Sequence, residues 1–308
     1  MSFEVKRARR EKQKAVIGLV GPSGSGKTVG ALMIALGLMR EAYPQANDDE
    51  LWSKIGVADT EHKRSMLYAN VNFNNDEERI GEFLHINFEP PYTTERYQAA
   101  VEALKKGGAE VVIIDSLSHN WQGEGGIVDQ HSNMEGNSFQ NWGKLSSETT
   151  KLVKTLTRNN VHIIATLRTK QEYAMEQNAN GKMQPVKVGT KPVQKDELEY
   201  EFMLNFSIDM DNKARASKDN TLLFKGEEIR LSPAVGRKLY KWLELGVDIR
   251  AEEEEERKRL LSEIDMLVSG NEEKRKLLEQ IEFKMGKRSV STFKLEHIKL
   301  AYERLTTK

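Results

Sequence analysis

Eight consecutive residues, Gly21, Pro22, Ser23, Gly24, Ser25, Gly26, Lys27 and Thr28, fill the pattern G-x-x-x-x-G-K-[ST]. Residues of these types at this spacing bind phosphate. The backbone N–H groups of the turn point inward at phosphate oxygens, and glycine is needed because a Cβ would obstruct the turn. Lys27 then reaches the β- and γ-phosphates, and the Thr28 hydroxyl is offered to Mg²⁺. Val29 follows and completes the set around the phosphates. The ligand this chemistry calls for is a nucleoside triphosphate with its magnesium ion. Two carboxylates sit where such a site uses them. Asp115 ends the run Val111-Val112-Ile113-Ile114, β-branched residues that read as a strand buried on both faces. An acid there accepts from the water shell of Mg²⁺ and pairs with the hydroxyl of the loop. Glu61 lies in Asp59-Thr60-Glu61-His62, after a short apolar strand over 54–58. At the carboxyl end of a strand beside the phosphate loop it is placed to orient and deprotonate an attacking water. A surface glutamate on a loop is the other reading of the same residue.

The elements that must position these groups follow from hydrophobic periodicity. Residues 15–20 read as a buried strand, and Val29, Leu32, Met33, Leu36 and Leu38 continue with helical spacing, so the positive end of a helix points at the bound anion. Further strands are expected at 82–88, 161–167, 202–209 and 222–225, the last two flanking a turn-rich stretch at 211–220. Helices are expected at 93–106, 143–159 and 233–245. Strands alternating with helices make an α/β fold with a mainly parallel central sheet flanked by helices. Three regions result: a basic amino-terminal tail over 1–14, a core over 15–246, and a charged helical carboxyl-terminal appendage over 247–308 that opens on the acidic run 252–256.

Composition sets outer bounds. The chain has 308 residues, 38% hydrophobic and 31% charged, enough for one α/β domain and an appendage with a highly charged surface. No run approaches a membrane span, and the basic amino terminus carries no cleavage site, so the expected location is the cytoplasm with no membrane partner. Cysteine is absent, which removes disulfides and thiolate metal sites. Forty-seven basic residues balance 47 acidic ones, so only local charge can speak of nucleic acid.

Two long segments lack a sustained period. Residues 118–140 carry Gly123, Gly125, Gly126 and Gly136 with Trp121 among them. An aromatic ring in such a loop stacks on bases or anchors the loop to the core. Residues 168–195 carry six cations, Arg168, Lys170, Lys182, Lys187, Lys191 and Lys195, against Glu172 and Glu176. Cations spaced along a flexible loop suit a phosphate backbone, and a hairpin projecting for solubility is the plainer alternative.

The phosphate loop, the D-x-E-H string at 59–62 and the strand ending in Asp115-Ser116 together resemble the RecA core. Ser116-Leu117-Ser118-His119, Gly123-Glu124-Gly125-Gly126, Lys187-Val188-Gly189, Pro192-Val193-Gln194 and Glu199-Tyr200-Glu201-Phe202 are similar to the short phage-encoded RecA-like ATPases of the single-strand annealing or minimal recombinase type. The resemblance covers about residues 15–245 and implies a RecA-like P-loop core that hydrolyses ATP with Mg²⁺. It gives Glu61 the role of positioning the attacking water, Lys27 that of phosphate contact, and Thr28 and Asp115 that of metal support. It makes the segments at 118–140 and 168–195 two loops for single-stranded DNA, in a filament or ring of copies. A single-strand-binding protein is a further implied partner, and the host cytoplasm the implied place.

Departures from that pattern are specific. The family's γ-phosphate-sensing glutamine is replaced by Thr166, at the end of the strand before the second loop. In Ser217-Lys218-Asp219-Asn220, Lys218 matches the trans-acting finger element of RecA-fold ATPases and Asn220 does not. Only 14 residues precede the first strand, so no separate amino-terminal polymerisation domain is expected. A ring-forming helicase-like motor and an ATP-operated protein interaction switch without DNA binding are the competing functions.

Overall fold

The computed structural model describes residues 7–73, 78–177, 183–286 and 288–307. The chain divides into two compact units, Gln13–Glu244 and a second formed by Met1–Lys12 with Leu245–Lys308.

The larger unit begins with β1 (Val16–Gly21), α1 (Lys27–Ala42), α2 (Asp48–Trp52) and β2 (Ile55–Asp59). A small hairpin, β3 (Val71–Phe73) and β4 (Glu78–Ile80), leads to β5 (Leu84–Asn87), α3 (Thr94–Lys106) and β6 (Val111–Asp115). Then come α4 (Ser118–Gln122), α5 (Ile127–Ser132), α6 (Ser138–Thr157), β7 (His162–Gln177) and β8 (Met183–Pro192). β9 (Leu204–Ile208), β10 (Ala214–Asp219), β11 (Glu228–Ile229) and α7 (Pro233–Leu243) complete it. The main sheet runs β11-β10-β9-β1-β7-β6-β2-β5, with β8 paired to β7. From β9 across to β5 every pairing is parallel, as expected for strands buried on both faces.

Side chains alternate along each strand, so one run serves two cores. Ile17, Leu19, Ile113 and Ile164 pack with Leu32, Leu36 and Leu239 on one face. Val16, Val20, Val112, Ile114 and Leu167 pack with Val101, Leu104, Leu152 and Leu156 on the other. Helix α1 is buried along most of its length because the sheet covers one side and α7 the other. The two helices touch backbone to backbone: a Cβ on Gly236 would stand 2.1 Å from Ile34 O and 2.7 Å from Leu38 N. Gly236→Ala is therefore expected to cost about 1–3 kcal/mol by overpacking, read as a lower thermal midpoint.

His162 ties the start of β7 to the entry of β1. Its Nδ1 accepts from Ala15 N at 3.0 Å, and Lys14 Nζ is 3.5 Å from Nε2. Burial first, then the Lys14 charge, pushes the imidazole down to about 3. In the unfolded chain the ring protonates near 6.5, so the unfolded state takes up the proton first as pH falls. Titration of this group leaves stability near neutral pH almost unchanged, and stability declines as pH falls from about 6.5 towards 3. His162→Gln is expected to flatten that part of the urea-midpoint profile.

Several elements differ from those expected. Helix α6 begins at Ser138 rather than 143, because the Asn137 side chain accepts from Phe139 N and Gln140 N and caps it early. The segment 118–140, expected to be an irregular loop, contains α4 and α5. Residues 168–195 are expected to be a flexible loop, yet β7 runs on past the sheet and folds back as β8 in an antiparallel hairpin. The strand after β9 is β10 at 214–219, not 222–225. Asp209 Oδ1 accepts from Asp211 N and Lys213 N, closing a tight turn that returns the chain at once. Asp219 then accepts from Thr221 N and Phe224 N, which folds 219–224 into a turn.

The smaller unit packs α8 (Ile249–Val268), α9 (Glu272–Lys284) and α10 (Leu295–Thr306) around Leu260, Ile264, Ile281, Phe293, Ile298 and Leu305. Residues 10–12 pair with it: Val247 N donates to Arg10 O and Lys12 N to Val247 O, each at 2.9 Å. Residues 7–12 of the basic segment thus share a unit with the helices rather than standing as a separate tail, and Gln13 and Lys14 belong to the larger unit. Among the described residues no helix is long and apolar enough to cross a membrane.

Candidate nucleotide-binding and hydrolytic site

The carboxyl ends of β1, β6 and β2 and the part of β7 that leaves the sheet beside them converge on one place, and each carries a residue of the site. β1 delivers Gly21 into the turn. Gly26 caps α1 in a left-handed conformation, φ +78°, that a side chain would strain. The first turn of α1 has no acidic residue, which leaves its positive end for an anion. Lys27 Nζ donates to Gly21 O at 2.9 Å and Pro22 O at 2.7 Å, holding the ammonium against the loop. Burial lowers its pKa, the Asp115 and Glu61 carboxylates pull it back up, and Arg168 adds to the lowering. The Ser25 hydroxyl is fully buried and lacks a hydrogen-bond partner among the described residues. An orphaned hydroxyl inside a glycine-built turn at a helix amino terminus fits a phosphate-bearing ligand.

Asp115 is held from both sides. Thr28 Oγ1 donates to Oδ2 and Thr166 Oγ1 to Oδ1, each at 2.5 Å. Burial raises the Asp115 pKa, and the Thr166 and Thr28 hydroxyls oppose that rise. Hard oxygen donors from Thr28 and Asp115 suit Mg²⁺, which takes one or two protein oxygens and completes its shell with phosphate and water. Among the described residues no cluster of three or more His, Asp or Glu forms a metal cage of another kind. Thr166, which the resemblance sets where a sensor glutamine is expected, spends its hydroxyl on Asp115.

Glu61 is positioned by Asp59, a residue the sequence offered only as part of a string. The fully buried Asp59 carboxylate accepts from Glu61 N at 2.7 Å, Ser65 N at 2.9 Å and Ser65 Oγ at 2.5 Å, with His85 Nε2 at 3.4 Å. These bonds fold 60–65 back on themselves, with His62 and Lys63 at positive φ. Thr60 stitches β2 to β6: its N donates to Asp115 O at 2.6 Å and its hydroxyl accepts from Ser116 N at 2.7 Å. His119 Nδ1 lies 2.6 Å from the same hydroxyl, and its ring stacks on Tyr92 at 4.9 Å. Burial, then Arg168, lowers the His119 pKa. Glu61 itself forks onto Arg168, whose Nε donates to Oε1 at 2.6 Å and whose Nη2 donates to Oε2.

The remaining residues expected to meet DNA are placed as follows. Trp121 stacks on Trp142 with ring centroids 5.8 Å apart, and His131 stacks on the same ring at 4.0 Å. Phe139, one turn before Trp142, is 88% exposed. Arg168 joins Glu61 beside the phosphate loop rather than the lysines of the hairpin. Lys170 is exposed on β7, and Lys187 pairs through its backbone with Tyr173. Lys191 is 3.6 Å from Glu172 and Lys195 is 4.0 Å from Glu197. Both lysines line a cleft of about 180 Å³ with Val20 and Leu167 at the base of the hairpin. Lys182 lies outside the described residues. Lys218 Nζ donates to Tyr200 O of its own chain.

A glycine-built turn between a parallel strand and a helix, with a strand-end aspartate bonded to the hydroxyl that follows the lysine, defines a P-loop nucleoside-triphosphate-binding domain. A family model described as an AAA domain matches residues 13–234, and the chain belongs to that family. The larger unit is accordingly a nucleotide-binding P-loop ATPase domain of AAA type. No curated protein matches the sequence.

Proposed function

We propose that the protein is a RecA-like, magnesium-dependent ATPase that binds single-stranded DNA and promotes annealing or strand exchange in phage recombination, as a filament or ring in the host cytoplasm. A single-strand-binding protein is the natural further partner. The observation that carries this reading is the continuity of β7. The strand whose Thr166 holds Asp115 continues through Arg168 into a hairpin bearing Lys170, Lys187 and Lys191. Whatever grips the hairpin therefore pulls on the floor of the ATPase site.

In the reaction, Glu61 takes a proton from water as its oxygen attacks the γ-phosphorus and the bond to the β-phosphate oxygen breaks, leaving ADP and phosphate. Lys27 stabilises the charge that develops on the transferred group. Thr28 and Asp115 hold the metal environment, and bound Mg²⁺ supplies Lewis-acid neutralisation of the phosphate oxygens. ATP turnover by the full chain, with and without single-stranded DNA, tests the reading together with a low-salt gel shift. Stimulated turnover with a shifted band is expected, and neither appearing would leave an interaction switch in its place. Annealing without directional unwinding separates the reading from a helicase motor. The Lys191 contact has its own signature: Lys191→Gln is expected to reduce the slope of log affinity against log salt by about 0.7.

A further inference from the structure

Arg168 is the residue at which three parts of the larger unit meet. Its N–H donates to Ser118 Oγ at 2.9 Å, the first residue of α4. Its carbonyl accepts at 2.7 Å from Val193 N, the first residue after β8. Its guanidinium holds Glu61. In register, residue 168 is the last partner of β1, opposite Gly21, and Thr169 is the first partner of β8, opposite Pro192. The catalytic sheet ends and the cation-bearing hairpin begins at this one position.

The fork on Glu61 has a chemical consequence. A carboxylate acts as general base through a lone pair aimed at water, and here both oxygens accept guanidinium N–H groups. The two partners are unequally exposed: the Glu61 side chain is 12% exposed and that of Arg168 is 40%. An anion arriving from solvent reaches the guanidinium and not the carboxylate. Phosphodiesters accept the same two-pronged donation that the carboxylate now accepts.

We propose that Arg168 is a positioning residue that withholds Glu61 from the attacking water and yields it when a nucleic-acid phosphate takes over the guanidinium. The proposal rests on Glu61 being the base and on the hairpin meeting nucleic acid. It assigns the coupling between them to one competition for one side chain. The bonds from residue 168 to Ser118 and Val193 carry any shift of either segment to the same point.

Turnover of the full chain without nucleic acid is the deciding measurement. Arg168→Gln is expected to raise basal kcat about fivefold or more, with KM for ATP changed by less than about twofold, since the barrier and not ground-state binding is relieved. Stimulation by an oligothymidylate is expected to fall towards none. Glu61→Gln combined with Arg168→Gln is expected to be as inactive as Glu61→Gln alone, which shows that the gain passes through the base. Arg168→Lys keeps the charge without the fork and is expected to lie between wild type and Arg168→Gln. It also decides the matter should circular dichroism show Arg168→Gln unfolded. A basal rate unchanged or lowered in the folded variant, or a retained stimulation ratio, would overturn the proposal. Wild type that neither shifts nor responds to the oligothymidylate would sink the DNA reading alone, because the basal rates still judge the Glu61 clamp.

Discussion

Glu61→Gln is expected to leave nucleotide binding within about twofold of wild type and to lower ATP turnover by about 10²–10⁴-fold, the range in which a positioned general base acts. The amide keeps the shape of the side chain and can still orient a water, but it has no lone pair basic enough to take the proton. Binding should survive because the phosphate contacts belong to the loop and to Lys27, whose ammonium is held by Gly21 O and Pro22 O and not by Glu61. The backbone should survive too, since the Glu61 N–H is anchored by Asp59 regardless of its side chain. A fluorescent nucleotide titration beside a phosphate-release assay separates the two quantities. Turnover within a few-fold of wild type would move the base elsewhere. Asp59→Asn provides a companion measurement: it weakens the bonds that fold 60–65 and should lower kcat by misplacing a chemically intact Glu61.

Local sequence carried the phosphate loop and Asp115 because each is complete within a few residues: a strand, a turn of fixed spacing, and an acid at the end of a β-branched run. The parallel sheet followed from the same buried runs. The partnership of Glu61 with Arg168 was not legible, because it depends on strand order. β2 and β7 flank β6, so residues 107 apart in the chain meet across the end of one strand. Position in the chain groups Arg168 with the hairpin cations, and side-chain direction where β7 leaves the main sheet separates it from them. Thr166 was legible only as a missing glutamine, since its bond to Asp115 needs the pairing of β6 with β7. Turns driven by side chains hid in the same way. Asp209 and Asp219 each fold several following N–H groups around one carboxylate, which moved a strand from 222–225 to 214–219. Asn137 likewise started α6 five residues before its apolar period could announce it.

Asp115→Asn is expected to abolish magnesium-dependent turnover while leaving the apoprotein at least as stable as wild type. The two effects have one origin. Burial raises the Asp115 pKa above the ordinary value of 3.8 in spite of the Thr28 and Thr166 hydroxyls. With a folded-state pKa above the unfolded one, the native chain binds the proton more tightly, so stability is greatest below the unfolded value and declines as pH rises through the folded one. At neutral pH the ionised carboxylate therefore stands at a cost, and an isosteric amide removes it. What that cost supports is a charged oxygen beside the Thr28 hydroxyl where the metal environment must form. Thermal denaturation of the apoprotein at neutral pH should give Asp115→Asn a midpoint equal to or above that of wild type. Nucleotide affinity should then lose most of its dependence on added Mg²⁺, and the stabilisation that wild type gains from Mg²⁺ and ATP together should largely vanish in the variant. A lowered apoprotein midpoint would show the two threonine bonds to be worth more than the burial they offset, and undiminished magnesium dependence would remove Asp115 from the metal site.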